Sequence, residues 1–301
     1  MSEVFFVTTH GWSGSSWLAN VLNSHSDIFC SHLMYDRVPG KDDGEAKLER
    51  NNLFDAVRKE SVNRLNTPVN EMIVKINQLT NASYRGNVGL YRMRDLPMLV
   101  EKFGPLEHRI RVINLIRDPV SVVFSGFGQF QKRFRFDLHE LHWNLGKLLN
   151  YSYEYINNLR KKYGIDLGDT KNLCFLAAAQ TMASLRLDVE AEPYVENIRG
   201  VEFFGHCKME QITTEKESFS ELIKGFLPGL GYSDDYLVDS LGTGPINRHH
   251  QYEAVTAQDR FEALEDWQKD AIIHFWKLNE LHGFYTSQGY KFEYLDHYPT
   301  I

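Results

Sequence analysis

Short unbroken apolar runs alternate along this chain with longer stretches whose apolar positions recur every three or four residues. Val4 to Val7 is the first run, and it predicts a strand buried on both faces. A loop with Gly11, Ser13, Gly14, Ser15 and Ser16 follows, after which Trp17, Leu18, Val21 and Leu22 take helical spacing. Ile110 to Ile116 is a second apolar, β-branched run, with Asp118 placed to cap a helix and Pro119 to begin it. Between these runs, Lys41 to Asn63 is polar and reads as surface loop and helix, and Met72 to Ile76 reads as a short strand. Beyond Gly128 the pattern turns helical, over Leu138 to Tyr163 and Asn172 to Leu187, and Val201 to Phe204 is one more β-rich run. Leu230 to Asn247, with several glycines and a proline, reads as a long loop. Arg260 to His282 reads as the last long helix, with Trp267 and Trp276 as core anchors. The order of runs predicts an α/β fold: a central parallel sheet flanked by helices, with a largely helical C-terminal half.

Two strand-to-helix junctions carry chemistry. At the first, glycines allow close backbone approach, loop N–H groups point toward a ligand, and the helix N-terminus adds about half a positive charge. Ser15 and Ser16 add hydroxyl donors, so the junction reads as an anion cradle. It is not the ATPase form, G-x-x-x-x-G-K-[ST], because no lysine lies between Val4 and His25. Gly and Ser also serve plain turn chemistry, and that reading stays open for the loop taken alone. At the second junction Arg117 stands at the end of the run, and Ser125 follows on the next helix's second turn. Helical side chains lean toward the N-terminus, so Arg117 and Ser125 are placed to converge on one phosphate; a surface Arg–Asp pair with an incidental serine is the alternative.

Both segments resemble the sulfotransferase superfamily, whose donor is 3′-phosphoadenosine 5′-phosphosulfate. Thr9 to Trp17, THGWSGSSW, is similar to the family's 5′-phosphosulfate loop, and LNSHSDIF after it resembles the carbohydrate-type members. Arg117, Asp118, Pro119 and Ser125 are similar to its 3′-phosphate motif, R-D-P with a serine eight residues after the arginine. The likeness is clear over about residues 1–130 and weaker beyond, where VEFFGHCKMEQI and the Trp-bearing C-terminal helix ending at GYKFEYL resemble the family's last strand and helix. It implies one P-loop-like domain over residues 1–301, metal-free sulfuryl transfer to a hydroxyl or amine, and 3′,5′-adenosine bisphosphate as product. On this basis Gly11, Trp12, Ser13, Gly14, Ser15 and Ser16 hold the 5′ end, Trp17 stacks on adenine or joins the core, and Arg117 and Ser125 hold the 3′ phosphate. Arg248, in INRHH, closes over that phosphate or is a solvated loop residue.

One departure stands out: where relatives carry Lys or Arg before the S-G pair, this chain has Trp12. A lost charge-assisted contact costs about 1.5–3 kcal/mol, or about one to two powers of ten in rate. Substitutes are His10, Lys75, Arg92, Arg94 and Arg248; a nucleotide-binding homologue with weak catalysis, or a phosphotransferase using ATP, is the alternative. The acceptor's proton needs a base, for which His32 ranks first, then Asp36, then His10. Arg92 and Arg94 also suit an anionic or sugar-like acceptor.

Composition narrows the class. A net charge of −7 argues against general nucleic-acid binding. Cys30, Cys174 and Cys207 have no zinc or C-x-x-C spacing and read as reduced core thiols. A first strand starting by Val4 leaves no space for a leader, and no apolar stretch nears the ~20 residues of a membrane span, so a cytoplasmic enzyme is expected. The acceptor, whether small molecule, glycan or lipid, is not legible, nor is the oligomeric state.

Overall fold

The computed structural model describes residues 3–11, 13–32, 66, 68–134, 153–242 and 256–296. Five strands form one parallel sheet: β1 (Glu3–Thr8), β2 (Ile28–His32), β3 (Tyr84–Val88), β4 (Ile110–Ile116) and β5 (Val201–Lys208), in the order β2-β3-β1-β4-β5. Four helices used below are α1 (Ser15–Asn23), α2 (Val69–Leu79), α3 (Asp95–Phe103) and α4 (Pro119–Phe134). The expected parallel sheet flanked by helices is therefore present, and the described residues after β4 are largely helical.

The chain divides into two compact units, Met1–Arg117 with Asp188–His250, and Asp118–Leu187 with Gln251–Ile301. The first contains the whole sheet. Along β1, Phe5 and Val7 face a core shared with Trp17, Leu18, Val21 and Leu22 of α1. Val4 and Phe6 face the other side, against Val69, Ile73 and Ile76 of α2 and Leu96 and Leu99 of α3. Two covered faces explain why β1 and β4 read as continuous apolar runs rather than as alternation. Gly86 of β3 lies opposite Phe5, and a Cβ there would overlap the Phe5 carbonyl and ring, so this neighbour of β1 must be glycine.

The second unit is a helical body around Phe175, Trp267, Ile272 and Trp276. Trp267 and Trp276 are buried, as expected, and the Trp276 and Phe292 ring centroids lie 4.6 Å apart. Asp118 caps α4 by accepting a hydrogen bond from the Ser121 N–H at 2.9 Å, with Pro119 as the first helical residue.

Four expectations need correction. Met72 to Ile76 belongs to α2, because Val69, Met72, Ile73 and Ile76 form a helical stripe that a five-residue window hides. Asp234–Gly242, inside the expected loop, is a helix that anchors buried Leu237 and lets Tyr236 Oη donate to the Val21 carbonyl at 3.2 Å. The expected helix over Asn172 to Leu187 is two, Thr170–Ala179 and Thr181–Glu190, parted at Gln180. The expected last helix is three segments, Ala257–Glu262, Asp266–Leu278 and Leu281–Ser287; capping boxes at Thr256 and Glu265 start the first two, and Glu280, at φ 50°, precedes the third. The three cysteines are free and buried, and burial pushes each thiol up. No helix among the described residues is long and apolar enough to cross a membrane. The Lys41 to Asn63 segment and the helix start expected at Leu138 lie outside the described residues.

Candidate active site

The carboxyl ends of the parallel strands meet at one edge of the sheet, where ligands of open α/β folds bind. β1 ends at Thr8 and turns through His10 and Gly11 toward α1. Gly11 (φ 98°) and Gly14 (φ 80°) are both left-handed, which favours glycine at each. Among the described residues nothing lies within 4 Å of a Cβ built on Gly11, whereas a Cβ on Gly14 would overlap the Met209 side chain. Gly14 is also the N-cap of α1. It has no side chain to satisfy the first N–H groups, and the first turn has no acidic residue. Those donors and the positive end of the helix therefore face the loop with no side-chain cap and no acidic residue in the helix's own first turn.

Side chains finish the cradle. Ser13 is fully buried; its Oγ donates to the Gly11 carbonyl at 3.1 Å and lies 3.4 Å from His10 Nε2. Ser15 Oγ and Ser16 Oγ lie 3.1 and 3.2 Å from His32 Nε2, at the end of β2. One imidazole nitrogen thus holds both hydroxyls at the head of α1. His10 is buried, and that burial, with the positive charges of Arg92, Arg94 and Arg117, drops its pKa to about 3. It is a neutral imidazole at working pH.

Behind the cradle runs a buried polar chain that the apolar pattern did not reveal. Thr8 Oγ1 donates to Asn114 Oδ1 at 3.0 Å, and Asn114 Nδ2 lies 3.1 Å from His206 Nδ1. His206 Nε2 in turn lies 3.1 Å from Glu192 Oε2. On β2 and β3, Asn87 Nδ2 donates to Ser31 Oγ at 2.7 Å, and Asn87 Oδ1 accepts from the Leu90 N–H at 2.9 Å. The sequence signal for this seam is a single uncharged polar residue near the carboxyl end of each of these strands: Thr8, Ser31, Asn87 and Asn114.

Of the other candidates, Arg117 is half-buried at the end of β4 in the first unit. Ser125 is half-buried on the second turn of α4 in the second unit. Trp17 is only 2 % exposed, with its ring 6.0 Å from that of Phe219, so it is a core residue and its faces are not open to a base. Lys75 lies on α2 and pairs with Glu71 at 2.6 Å, not at a strand end. Trp12, Asp36 and Arg248 lie outside the described residues.

No protein-family model matches the chain, and no curated protein does. Among solved structures, the chain is similar to a sulfotransferase from Alicyclobacillus acidocaldarius, at 14% identity and a TM-score of 0.37, over 81% of this chain and 95% of that one.

Proposed function

We propose that this chain transfers a sulfuryl group from 3′-phosphoadenosine 5′-phosphosulfate to a hydroxyl or amine of a small-molecule, glycan or lipid acceptor. The observation that supports this best is the mouth of β1: an uncapped helix N-terminus behind two left-handed glycines, with three arginines acting on the adjoining histidine. Among the described residues no atom crowds Gly11, which suits close approach of an anionic group to the backbone. In this reading the loop N–H groups with Ser15 and Ser16 hold the 5′ phosphosulfate, and Arg117 holds the 3′ phosphate. The R-D-P segment and the absence of a loop lysine favour this donor over ATP.

Sulfuryl transfer asks for in-line placement and for stabilisation of spreading negative charge, as phosphoryl transfer does. A rigid cradle supplies the first. His32 is the proposed proton acceptor, and Ser15 and Ser16 bring its Nε2 into the cradle. His10 is the poorer base, since an imidazole whose pKa is about 3 holds a proton weakly.

Titration calorimetry with 3′,5′-adenosine bisphosphate, beside ATP with Mg²⁺, tests the donor assignment. Tighter, metal-independent binding of the bisphosphate is expected, and preference for ATP with Mg²⁺ overturns the reading. Incubating the protein and donor carrying labelled sulfur with a metabolite extract then reports the acceptor. Bisphosphate binding without any labelled product would reduce the function to nucleotide binding.

A further inference from the structure

Residues 4–25 contain neither lysine nor arginine, yet a sulfuryl-transfer site must meet the charge that grows at the donor's 5′ end. We infer that Arg92 and Arg94, on the turn after β3, supply that charge from outside the loop, with Asp95 and Asp188 positioning them. The inference rests on the proposed function. As the acceptor's oxygen or nitrogen bonds sulfur, the S–O bond to the 5′ phosphate breaks. The electron pair leaves on that phosphate, the acceptor's proton passes to the base, and a guanidinium at the 5′ end meets the departing charge.

The turn is fastened to the end of β1. The Gly89 N–H donates to the Val7 carbonyl at 2.9 Å, and the Thr9 N–H donates to the Tyr91 carbonyl at 3.3 Å. These bonds extend the β1–β3 pairing past the strand ends and carry residues 92 and 94 beside His10. Arg92 and then Arg94 are the largest charges acting on that imidazole. The turn is also braced from behind. The Arg92 N–H donates to Asp95 Oδ2 at 2.8 Å, and Asp95 is 2 % exposed. Arg94 Nη1 lies 3.5 Å from Asp188 Oδ1, a carboxylate whose side chain is 7 % exposed. Burial outweighs the neighbouring arginines and raises Asp188 to about 6. Holding a carboxylate there is costly, which suits an arginine fixed in place more than a surface pair of convenience. Arginine stays protonated at any working pH, so the charge is always available.

Two ligands separate the two ends of the donor: 3′,5′-adenosine bisphosphate, and adenosine 3′-phosphate, which lacks the 5′ group. Arg92→Ala and Arg94→Ala should each weaken the bisphosphate about tenfold, the size of a lost charge-assisted bond, and leave adenosine 3′-phosphate within about threefold. Arg117→Ala should weaken both. Asp188→Asn should give a smaller loss for the bisphosphate alone, and no further loss in the Arg94→Ala background, where a merely structural role would add. Removing the Arg92 side chain leaves its backbone bond to Asp95, so that variant keeps the turn; thermal unfolding checks it. Equal losses for both ligands, or none for either, in Arg92→Ala and Arg94→Ala overturn the inference and leave the function standing. A wild-type protein that fails to bind the bisphosphate overturns the function itself.

Discussion

The two strand-to-helix junctions solve the same problem in opposite ways. At the β1–α1 junction the helix starts from a glycine, so its first N–H groups have no side-chain cap and its dipole faces the loop. At the β4–α4 junction Asp118 already occupies that place, accepting from the Ser121 N–H. A carboxylate at a helix N-terminus neutralises what an anion would seek. In the proposed reading the first junction therefore binds through backbone, and the second through a side chain, Arg117. The difference follows from one residue type at the N-cap, glycine or aspartate. It teaches that similar strand–turn–helix topology does not make two equal anion sites.

Substitutions at the glycines should break the first junction hardest. Gly14→Val combines left-handed strain with overlap against Met209, for a loss of about 4 kcal/mol in urea unfolding. Gly11→Ala meets the same strain with no described atom within 4 Å of the new Cβ and should cost only about 1 kcal/mol. Equal effects at the two would show that Met209 packing is irrelevant to the loop.

Acid should come next. Folded His10 stays neutral down to about pH 3, whereas an unfolded imidazole takes its proton near 6.5. Between those values the unfolded chain binds more proton, so stability is lost as the pH falls, by about 3 kcal/mol at about pH 4. Unfolding titrations of wild type and His10→Gln at both ends of that window measure the difference; parallel curves would refute the buried neutral histidine.

Arg117→Ala should weaken 3′,5′-adenosine bisphosphate at least about tenfold by calorimetry, with stability little changed, since the residue is half-buried. The smallest effect belongs to the second junction's cap. Asp118→Ala should cost about 1 kcal/mol in thermal unfolding, and Asp118→Asn should recover most of it. If Asp118→Ala tightened bisphosphate binding more than about tenfold, the α4 N-terminus would be a backbone anion site after all, and the contrast between the junctions would fail.

Both junctions were legible because each is local: an apolar run, a turn and a helix start lie within about twenty consecutive residues. Asp118 and Pro119 took their expected places for the same reason. Lys75 misled because five apolar-rich residues fit a strand or a helix equally well, and only the wider stripe from Val69 to Ile76 separates them. The break at Gln180 and the αL residue Glu280 were not legible, since neither position carries Gly or Pro. Trp17 fitted both a helix's core face and a ligand platform, and burial chose the core.

The sequence by itself determined the periodicities, the glycine hinges and the charges on offer, because these depend on neighbours a few residues apart. Tertiary structure alone decided which distant groups meet. Parallel pairing brings His32 to Ser15 and Ser16, and fastens the Arg92 turn to the end of β1. It also buries Asp188 beside Arg94, almost a hundred residues away. Such contacts need a crossover to return the chain to the same edge of the sheet, and no local pattern encodes where that return will land.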